Sequence, residues 1–507
     1  MTRARRTALL GTVLLLAAAC RGASGNRPIA TGADPIRPNI VLVLTDDQRW
    51  DSIGRCLGTF DGYDRAAGTS ACMPQVQADL MASGTTFRRG YVTTALCCPS
   101  RSSILSGRFA RRTGVLSNED YAHFDESSTI ATWLQGAGYR TALIGKYMNG
   151  YGKAPTPAGH VPPGWEVWHA FWESSTSESI NQYTKYPMID AEPGQPATNT
   201  TYTMDQRGPR GACAAGNYYA TDFLCYRALQ FLDAPDVRPF FLYLATSSPH
   251  MSAIAPARWK GWATGVVTPT YPNLNVIPSP NPPPWVPKTP LTADRLSKLS
   301  SQFRSMLGTN RAVDDAVGVL HDRLAADGRL ATTVWVFLSD NGFARGEHRW
   351  AEKRCAYEEC HRVPFVVVCP PAVCPGAVAG AEDVDHPVLN IDLAPTLAEL
   401  AGVTPATTVD GRSMVGLLNG TEAGWRDGFL QENFSISTGR PNAFVARWPE
   451  DGHDYKYIET RGSVRGYELY DLTADPWELT NLAGDTAHEA VQSWLVGRLR
   501  AAIAAGD

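Results

Sequence analysis

The chain carries no excess of positive charge: 46 Lys and Arg stand against 50 Asp and Glu, for a formal net charge of -4 and a pI near 6.2. That argues against nucleic acid or an anionic membrane surface as the main partner, and it leaves any anionic substrate to be met by a local site. Long apolar runs are also missing. The stretch from Ala8 to Ala19 is too short and too poorly flanked for a stable membrane span. No repeat of solenoid period recurs, which removes the array architectures. One segment lacks any regular pattern: Thr268 to Pro290 is so rich in proline, with Pro282-Pro283-Pro284 inside it, that neither helix nor central strand fits, and a long surface excursion is expected.

What is present begins with a leader. Arg3, Arg5 and Arg6 precede the apolar run, and small residues lead into Cys20, so residues 1–20 read as a secretory signal peptide. Ala17-Ala18-Ala19-Cys20 resembles a bacterial lipoprotein processing site, although Leu16 lies one place further back than the usual leucine. The expectation is an exported protein of the bacterial cell envelope or the extracellular space, lipid-anchored through Cys20, with residues 21–37 as a tether. Eleven cysteines in an exported chain make disulfides plausible. Neighbours in sequence pair Cys56 with Cys72, Cys213 with Cys225, Cys355 with Cys360 and Cys369 with Cys374, leaving Cys98 free. Sequence does not fix that connectivity, and buried thiols are the alternative.

At 507 residues, 44% of them hydrophobic, the chain can build one large α/β domain and a smaller one. Asn39–Leu44, Arg140–Ile144, Phe240–Ala245 and Thr333–Leu338 are continuous apolar runs bounded by polar or turn residues, as buried strands are. Leu291–Leu307 and Asn310–Ala326 read as two helices, the second closed by Asp327-Gly328. This alternation predicts an α/β fold with a large, mostly parallel sheet covered by helices over residues 38–419. After about Asn419, Ala443–Trp448, Tyr455–Glu459 and Tyr467–Leu472 look like short antiparallel strands, and His488–Ala504 like an amphipathic helix. Residues 420–507 are therefore expected to form a C-terminal α+β subdomain.

Each buried strand runs into a polar cluster: Asp46-Asp47, Gly145-Lys146-Tyr147, Ser248-Pro249-His250 and Ser339-Asp340-Asn341-Gly342. In parallel sheets ligands bind beyond the carboxyl ends of the strands, so these clusters should meet in one crevice. Asp46, Asp47, Asp340 and Asn341 make an all-oxygen set, which suits calcium or magnesium better than zinc. Asp46-Asp47 alone could equally be a solvated turn. A further cluster, Leu96-Cys97-Cys98-Pro99-Ser100-Arg101, places Pro99 where the first turn of a helix accepts it, so that both cysteines lie at the positive helix end. Read on its own, Cys97 is a low-pKa nucleophile or a disulfide partner.

Cys97-x-Pro99-Ser100-Arg101, with Leu105 and Gly107-Arg108 following, resembles the signature at which sulfatases of the alkaline phosphatase superfamily have a cysteine oxidised to formylglycine. The resemblance extends to Asp46-Asp47, Gly145-Lys146, Ser248-Pro249-His250, Ser339-Asp340-Asn341-Gly342, Gly346-Glu347-His348, Lys353, Glu468-Leu469-Tyr470-Asp471-Leu472, Asp475-Pro476 and Asn481-Leu482. Gly145-Lys146-Tyr147-Met148-Asn149 and Pro162-Pro163-Gly164-Trp165 are similar to the N-acetylglucosamine-6-sulfatase branch. The resemblance implies an alkaline phosphatase-like fold, hydrolysis of sulfate esters, and one calcium ion held by Asp46, Asp47, Asp340, Asn341 and modified Cys97. It implies that Arg101 holds the formylglycine hydrate, that Lys146, Lys353 and His250 bind sulfate oxygens, and that Lys353 or His250 protonates the leaving alcohol. A formylglycine-generating enzyme is implied as a partner in maturation.

The sequence departs from the commoner pattern after Lys146, where many relatives carry a histidine that eliminates sulfate. Here Met148 and Asn149 stand, neither of which takes a proton at neutral pH. Either another group is the base or Asn149 orients the hydrate. Competing readings are an arylsulfatase, a formylglycine-dependent phospho- or phosphonate ester hydrolase, and a non-catalytic carbohydrate-binding protein. Among sulfatase substrates a sulfated carbohydrate, such as 6-sulfated N-acetylglucosamine, is favoured. Trp50, Tyr147, Trp165 and Trp168 could stack on a sugar ring or belong to the core.

Overall fold

The computed structural model describes residues 36–56, 71–153, 157, 159–173, 181–205, 211–377, 380–434, 442–462 and 465–505. The leader, Cys20 and most of the tether lie outside the described residues. Within the rest, the long apolar runs become the strands of a ten-stranded sheet. In chain order its strands are β1 (Asn39–Thr45), β2 (Thr85–Phe87), β3 (Arg140–Gly145), β4 (Val167–Phe171) and β5 (Lys185–Ala191). They continue as β6 (Thr198–Thr203), β7 (Phe240–Ala245), β8 (Thr333–Ser339), β9 (Phe365–Val368) and β10 (Glu382–Val384). The spatial order is β10-β2-β9-β8-β1-β7-β3-β4-β5-β6. The central run from β8 to β4 is parallel, and antiparallel pairs flank it on both sides.

β1 lacks polar alternation because both of its faces are covered. Ile40, Leu42 and Leu44 point into one core layer with Ile104 and Leu105 of α1 (Cys97–Ser106). Val41 and Val43 point into the other, with Phe223 and Leu224 of α2 (Ala220–Asp233) and Val313, Val317 and Leu320 of α3 (Ala293–Ala326). Each such side chain removed from water contributes about 1.5–3 kcal/mol, which fixes the central strands firmly in place.

α3 corrects one expectation. The sequence reading broke this region into two helices at Gly308, whereas the chain runs through as one helix of 34 residues. Gly308 is a contact point and not a break: a Cβ there would lie 2.9 Å from the Cβ of Ala255. The proline-rich excursion is as irregular as expected, apart from a two-residue strand, Ser279–Pro280, paired with Thr480–Asn481.

A second sheet of four antiparallel strands follows, β11 (Phe429–Asn433), β12 (Asn442–Glu450), β13 (His453–Arg461) and β14 (Gly466–Asp471). It packs against α4 (Glu489–Ala505) and shares a core with Tyr91, Phe109, Leu389 and Ile391. The four disulfides are Cys56–Cys72, Cys213–Cys225, Cys355–Cys360 and Cys369–Cys374, and Cys97 and Cys98 are free thiols. Among the described residues no helix is long and apolar enough to cross a membrane.

Candidate active site

Sheet register brings the polar clusters to one level. Thr45 pairs with Ser339, Leu44 with Ala245, and Ala245 with Gly145, so β1, β8, β7 and β3 end side by side. Asp46, Asp340, Thr246 and Lys146 are the next residues along. The Lys146 N–H donates to Ala245 O at 2.7 Å, an approach that only glycine permits before it, since a Cβ on Gly145 would sit 1.9 Å from that oxygen. The Asp46 N–H donates to Ser248 O at 3.0 Å and the Asp340 N–H to Thr45 O at 3.0 Å, which lock the strand ends together. Asp47 adopts φ 65°, an uncommon conformation for a residue with a Cβ and one that concentrates at functional sites.

α1 starts at Cys97, as Pro99 required, and ends at Gly107. The start of the helix delivers Cys97 into the crevice. Its Sγ lies 3.4 Å from Asp46 Oδ1 and 2.8 Å from Lys353 Nζ. Arg101, one turn on, is fully buried: Nε donates to Asp340 Oδ2 at 2.8 Å and Nη1 to Lys146 O at 2.7 Å. Lys146 Nζ pairs with Asp46 Oδ2. Lys353 Nζ donates to Asp47 Oδ1 at 2.7 Å, as does Asn341 Nδ2 at the same distance. His250 Nδ1 donates to Met251 O at 2.6 Å, which turns Nε2 toward Asp47 Oδ2 at 3.7 Å. All nine residues singled out in the sequence thus share one site.

Whether this site fits a metal ion is decided by its oxygens. Carboxylate atoms of Asp46, Asp47 and Asp340 and the sulfur of Cys97 lie within 4.8 Å of one another, and all four residues are buried. The side-chain amide oxygen of Asn341, Oδ1, beside them is buried without a hydrogen-bond partner. An unpartnered amide oxygen among three buried carboxylates costs stability unless a cation completes it. The donor set fits a hard divalent ion, and the ammonium groups of Lys146 and Lys353 supply its positive charge here.

The same crowding sets the charge states. Burial opposes the charge on Asp46, but Lys146, His250, Arg101 and Lys353 together hold its carboxyl far below the usual range. Asp340 is pushed upward, first by burial and then by Asp46. Burial would discharge Lys146 and Lys353, yet Asp46 and Asp47 respectively keep them protonated well past their ordinary range. The Cys97 thiol is driven up by burial and by Asp46, so as a thiol it is a poor nucleophile, contrary to the low-pKa alternative read from its helix position.

Between the alternatives left open elsewhere, the packing decides as follows. Asn149 does not reach Cys97; its N–H donates to Cys98 Sγ at 2.9 Å, and the Cys98 thiol points back at its side chain. Tyr147, Trp165 and Trp168 are buried, and Tyr147 and Trp165 each lie against Trp168 in the core. Trp50 lies between Tyr271 and the Arg362 guanidinium. His348 belongs to a separate buried group with Glu359 and Glu478, and stacks on Tyr357 at 3.9 Å. Two supports went unread: Asn118, whose Oδ1 accepts from the Cys98 N–H at 3.1 Å, and Tyr183, whose hydroxyl donates to His250 O at 2.5 Å with Ser247 O further off at 3.2 Å. Neither carries a local motif that would have flagged it.

A family model described as Sulfatase matches residues 38–403. The chain belongs to the sulfatase family. A second model, N-sulphoglucosamine sulphohydrolase, C-terminal, matches residues 346–505 of this sulfatase. Human N-acetylglucosamine-6-sulfatase is 30% identical over 516 residues, spanning 93% of this chain and 84% of that one. The Drosophila melanogaster extracellular sulfatase SULF-1 homolog is 28% identical over 417 residues, 78% of this chain and 33% of that one. A solved structure of a protein in complex with its substrate D-glucosamine-2-N,6-O-disulfate has a TM-score of 0.72 at 23% identity, over 92% of this chain and 97% of that one. The enzyme is a sulfuric ester hydrolase. The family generally works with formylglycine and a metal ion, and the donor set above is of that kind.

Proposed function

We propose that this sulfatase hydrolyses the 6-sulfate of an N-acetylglucosamine unit in a sulfated carbohydrate, using Cys97 as formylglycine and one calcium ion. The observation that carries the chemistry is the meeting of Cys97 with three buried carboxylates, an unpartnered amide oxygen and two lysines at the ends of four strands. The substrate reading is supported by the names of relatives at about this chain's full length.

Hydrated formylglycine would present two hydroxyls on one carbon, one to attack sulfur and one whose deprotonation expels sulfate and restores the aldehyde. Sγ of Cys97 marks where those oxygens lie. Asp46, Asp47, Asp340, Asn341 and residue 97 would hold calcium, which would supply positive charge against sulfate oxygens and make the hydrate more acidic. Arg101 is held rigid by Asp340 and the Lys146 carbonyl, and so fixes the start of α1. Lys146, with its side chain 6% exposed, faces inward toward sulfate oxygens. Lys353 at 14% and His250 at 27% stand nearer the opening, where the alcohol departs, and are the proton donors to it. With Nδ1 donating to Met251 O, His250 delivers a proton from Nε2 only as imidazolium.

The leader and Cys20 are read as export with lipid anchoring to a bacterial envelope, a formylglycine-generating enzyme as the maturation partner, and residues 420–507 as a subdomain completing the domain of residues 38–419. The test pairs mass analysis of the peptide containing Cys97 with a panel of N-acetylglucosamine 6-sulfate, other sulfated sugars, aryl sulfates and phosphonate esters. Sulfur replaced by aldehyde oxygen at Cys97, highest kcat/KM on the 6-sulfate, and loss of turnover by at least about four orders of magnitude in Cys97→Ala are expected. Full turnover by protein whose Cys97 is entirely thiol would overturn the nucleophile, and preference for phosphonate esters the substrate.

A further inference from the structure

Lys353 reaches the nucleophile from a loop, not from a strand end. Trp350 Nε1 donates to Lys353 O at 3.1 Å, and a further hold on this loop comes from the second sheet. Asn433, the last residue of β11, is 5% exposed and spends both ends of its amide on the active-site chain. Its Oδ1 accepts from the Ala95 N–H at 3.1 Å, two residues before Cys97. Its Nδ2 donates to Cys355 O at 3.1 Å, two residues after Lys353, and to His361 Nε2 at 2.8 Å. His361 in turn donates from Nδ1 to Val92 O at 2.9 Å. The Arg354 N–H donates to Ala95 O at 3.1 Å, with Arg354 held at φ 70°. Nucleophile segment 92–97 and lysine segment 353–361 are thus laced together, and a single amide side chain makes a bond to each.

We infer that Asn433 is a positioning residue for the sulfatase reaction, setting the distance between Lys353 Nζ and the nucleophile at residue 97. Three features carry this. The amide has one acceptor and one donor group, and here each meets a backbone group of the opposite kind on a different segment. No hydrophobic substitute serves both, because each backbone group would be left buried and unpaired. A lysine side chain has four rotatable bonds, so its ammonium is only as well placed as the backbone at its root. The 2.8 Å approach of Nζ to Cys97 Sγ therefore depends on a tether 80 residues away in sequence. The Cys355–Cys360 disulfide closes the same loop and limits how far it can spread once the amide is gone. A misplacement of about 1 Å at a reacting group costs up to roughly 100-fold in rate.

This inference rests on Lys353 acting at the leaving group, as proposed above. The test is a double-mutant cycle on enzyme fully converted at Cys97, with Asn433→Ala, Lys353→Ala and the pair. kcat and KM are measured on a sugar 6-sulfate, whose alcohol needs a proton to depart, and on an aryl sulfate, whose phenolate does not. Asn433→Ala is expected to lower kcat on the sugar sulfate about 10- to 100-fold with KM nearly unchanged, to lower it less on the aryl sulfate, and to cost under about 2-fold once Lys353 is already alanine. Asn433→Asp keeps the acceptor for Ala95 and loses the donor to Cys355, so it should fall with Asn433→Ala, and it carries the test if the alanine variant does not fold. An equal loss in both Lys353 backgrounds, or an undiminished kcat in a folded variant, overturns the inference. Should the wild type cleave no sulfate ester at all, the proposed function fails first. Crystallography of the Asn433 variants then decides separately: displacement of Lys353 Nζ by about 1 Å or more from residue 97 supports the tether, and an unmoved Nζ refutes it.

Discussion

Among the buried charge groups of the described residues, two are built to opposite ends. At the strand ends, Asp46, Asp47 and Asp340 face Arg101, Lys146 and Lys353 around an amide oxygen with no partner. Under the second sheet, Glu358, Glu359 and Glu478 gather with His348, Lys456 and Arg447. Ligand-type residues alone do not separate them, for His348, Glu359 and Glu478 also offer atoms within 4.8 Å of one another. The difference lies in the cations. Lys456, wholly buried, sits at 2.7 Å from Glu478 and 3.2 Å from Glu358, and Arg447 bonds both Glu358 and Asp454. Lys456 is shut away from solvent between its two carboxylates, and Arg447, which lines a cavity with Glu358 and Asp454, is bonded to both of them. Lys353 and His250 stand at an opening. A buried charge cluster is a reaction centre when its counter-ions can exchange partners, and a fastening when they cannot.

The sharpest way to separate the two is to remove one charge from each. Asp340→Ala strips a ligand from the proposed calcium site and the anchor from Arg101, so kcat/KM should drop by about three orders of magnitude, several kcal/mol of transition-state stabilisation, with calcium content falling in parallel. Metal analysis and kinetics on the same preparation check this; a variant with normal calcium and normal turnover removes Asp340 from the site. Exhaustive chelation should mimic the substitution and calcium should reverse it.

Lys456→Met is the counterpart. It leaves Glu478 buried without its partner, which costs on the order of 3–5 kcal/mol of folding stability, while kcat per folded molecule stays unchanged. Denaturant unfolding and active-site titration read the two quantities separately. If Lys456→Met instead keeps its stability and loses turnover, the contrast between reaction centre and fastening is wrong.

The smallest effect is in pH. Burial, with Glu347 and Glu478 nearby, raises the Glu359 carboxyl to about 8, so the folded protein binds a proton there that the unfolded chain releases near 4.5. Folding stability from Glu359 is present below about pH 4.5 and lost as pH rises to about 8, at up to roughly 1.4 kcal/mol per pH unit. Glu468, raised to about 7 by burial, acts in the same direction. His348 and His361, lowered by burial to about 3 and about 4, act oppositely, their contribution being full above 6.5 and lost as pH falls. The histidines offset Glu359 and Glu468 between 4.5 and 6.5, Asp314, raised by burial to about 7, adds a decline across that interval, and from 6.5 to 8 the carboxyls act without the histidines against them, leaving a decline there. Thermal unfolding at saturating calcium should show that decline in the wild type and a shallower one in Glu359→Gln. A wild-type melting temperature that rises over this interval would contradict the assignment.

How much of this was legible depends on what sequence encodes locally. The four strands around the site could be read because each is a continuous apolar run followed at once by polar residues, and the register of β1, β7, β8 and β3 turns that adjacency into a site. α3 was misread because glycine signals a break only where nothing packs on it, and Ala255 packs on Gly308. Tyr147, Trp165 and Trp168 lie close in sequence to the motifs, yet burial gave them to the core. Asn433 was invisible for a different reason. Its partners at Ala95 and Cys355 are distant in sequence, and an asparagine ending a strand looks like any other until the chain has folded around it.

All ten residues of α1 are buried, Cys97 among them. On the formylglycine reading this makes maturation a race with one finish, since no second protein can reach that side chain once the helix has docked. Molecules that fold first as thiols stay inert for life and cannot be repaired afterwards. The specific activity of any preparation then measures two things multiplied together, the turnover of a competent molecule and the fraction that won the race. A substitution that merely speeds folding would lower apparent activity without touching the chemistry, and one that slows it would do the reverse. Comparisons between variants therefore carry meaning only when rates are divided by the count of converted sites.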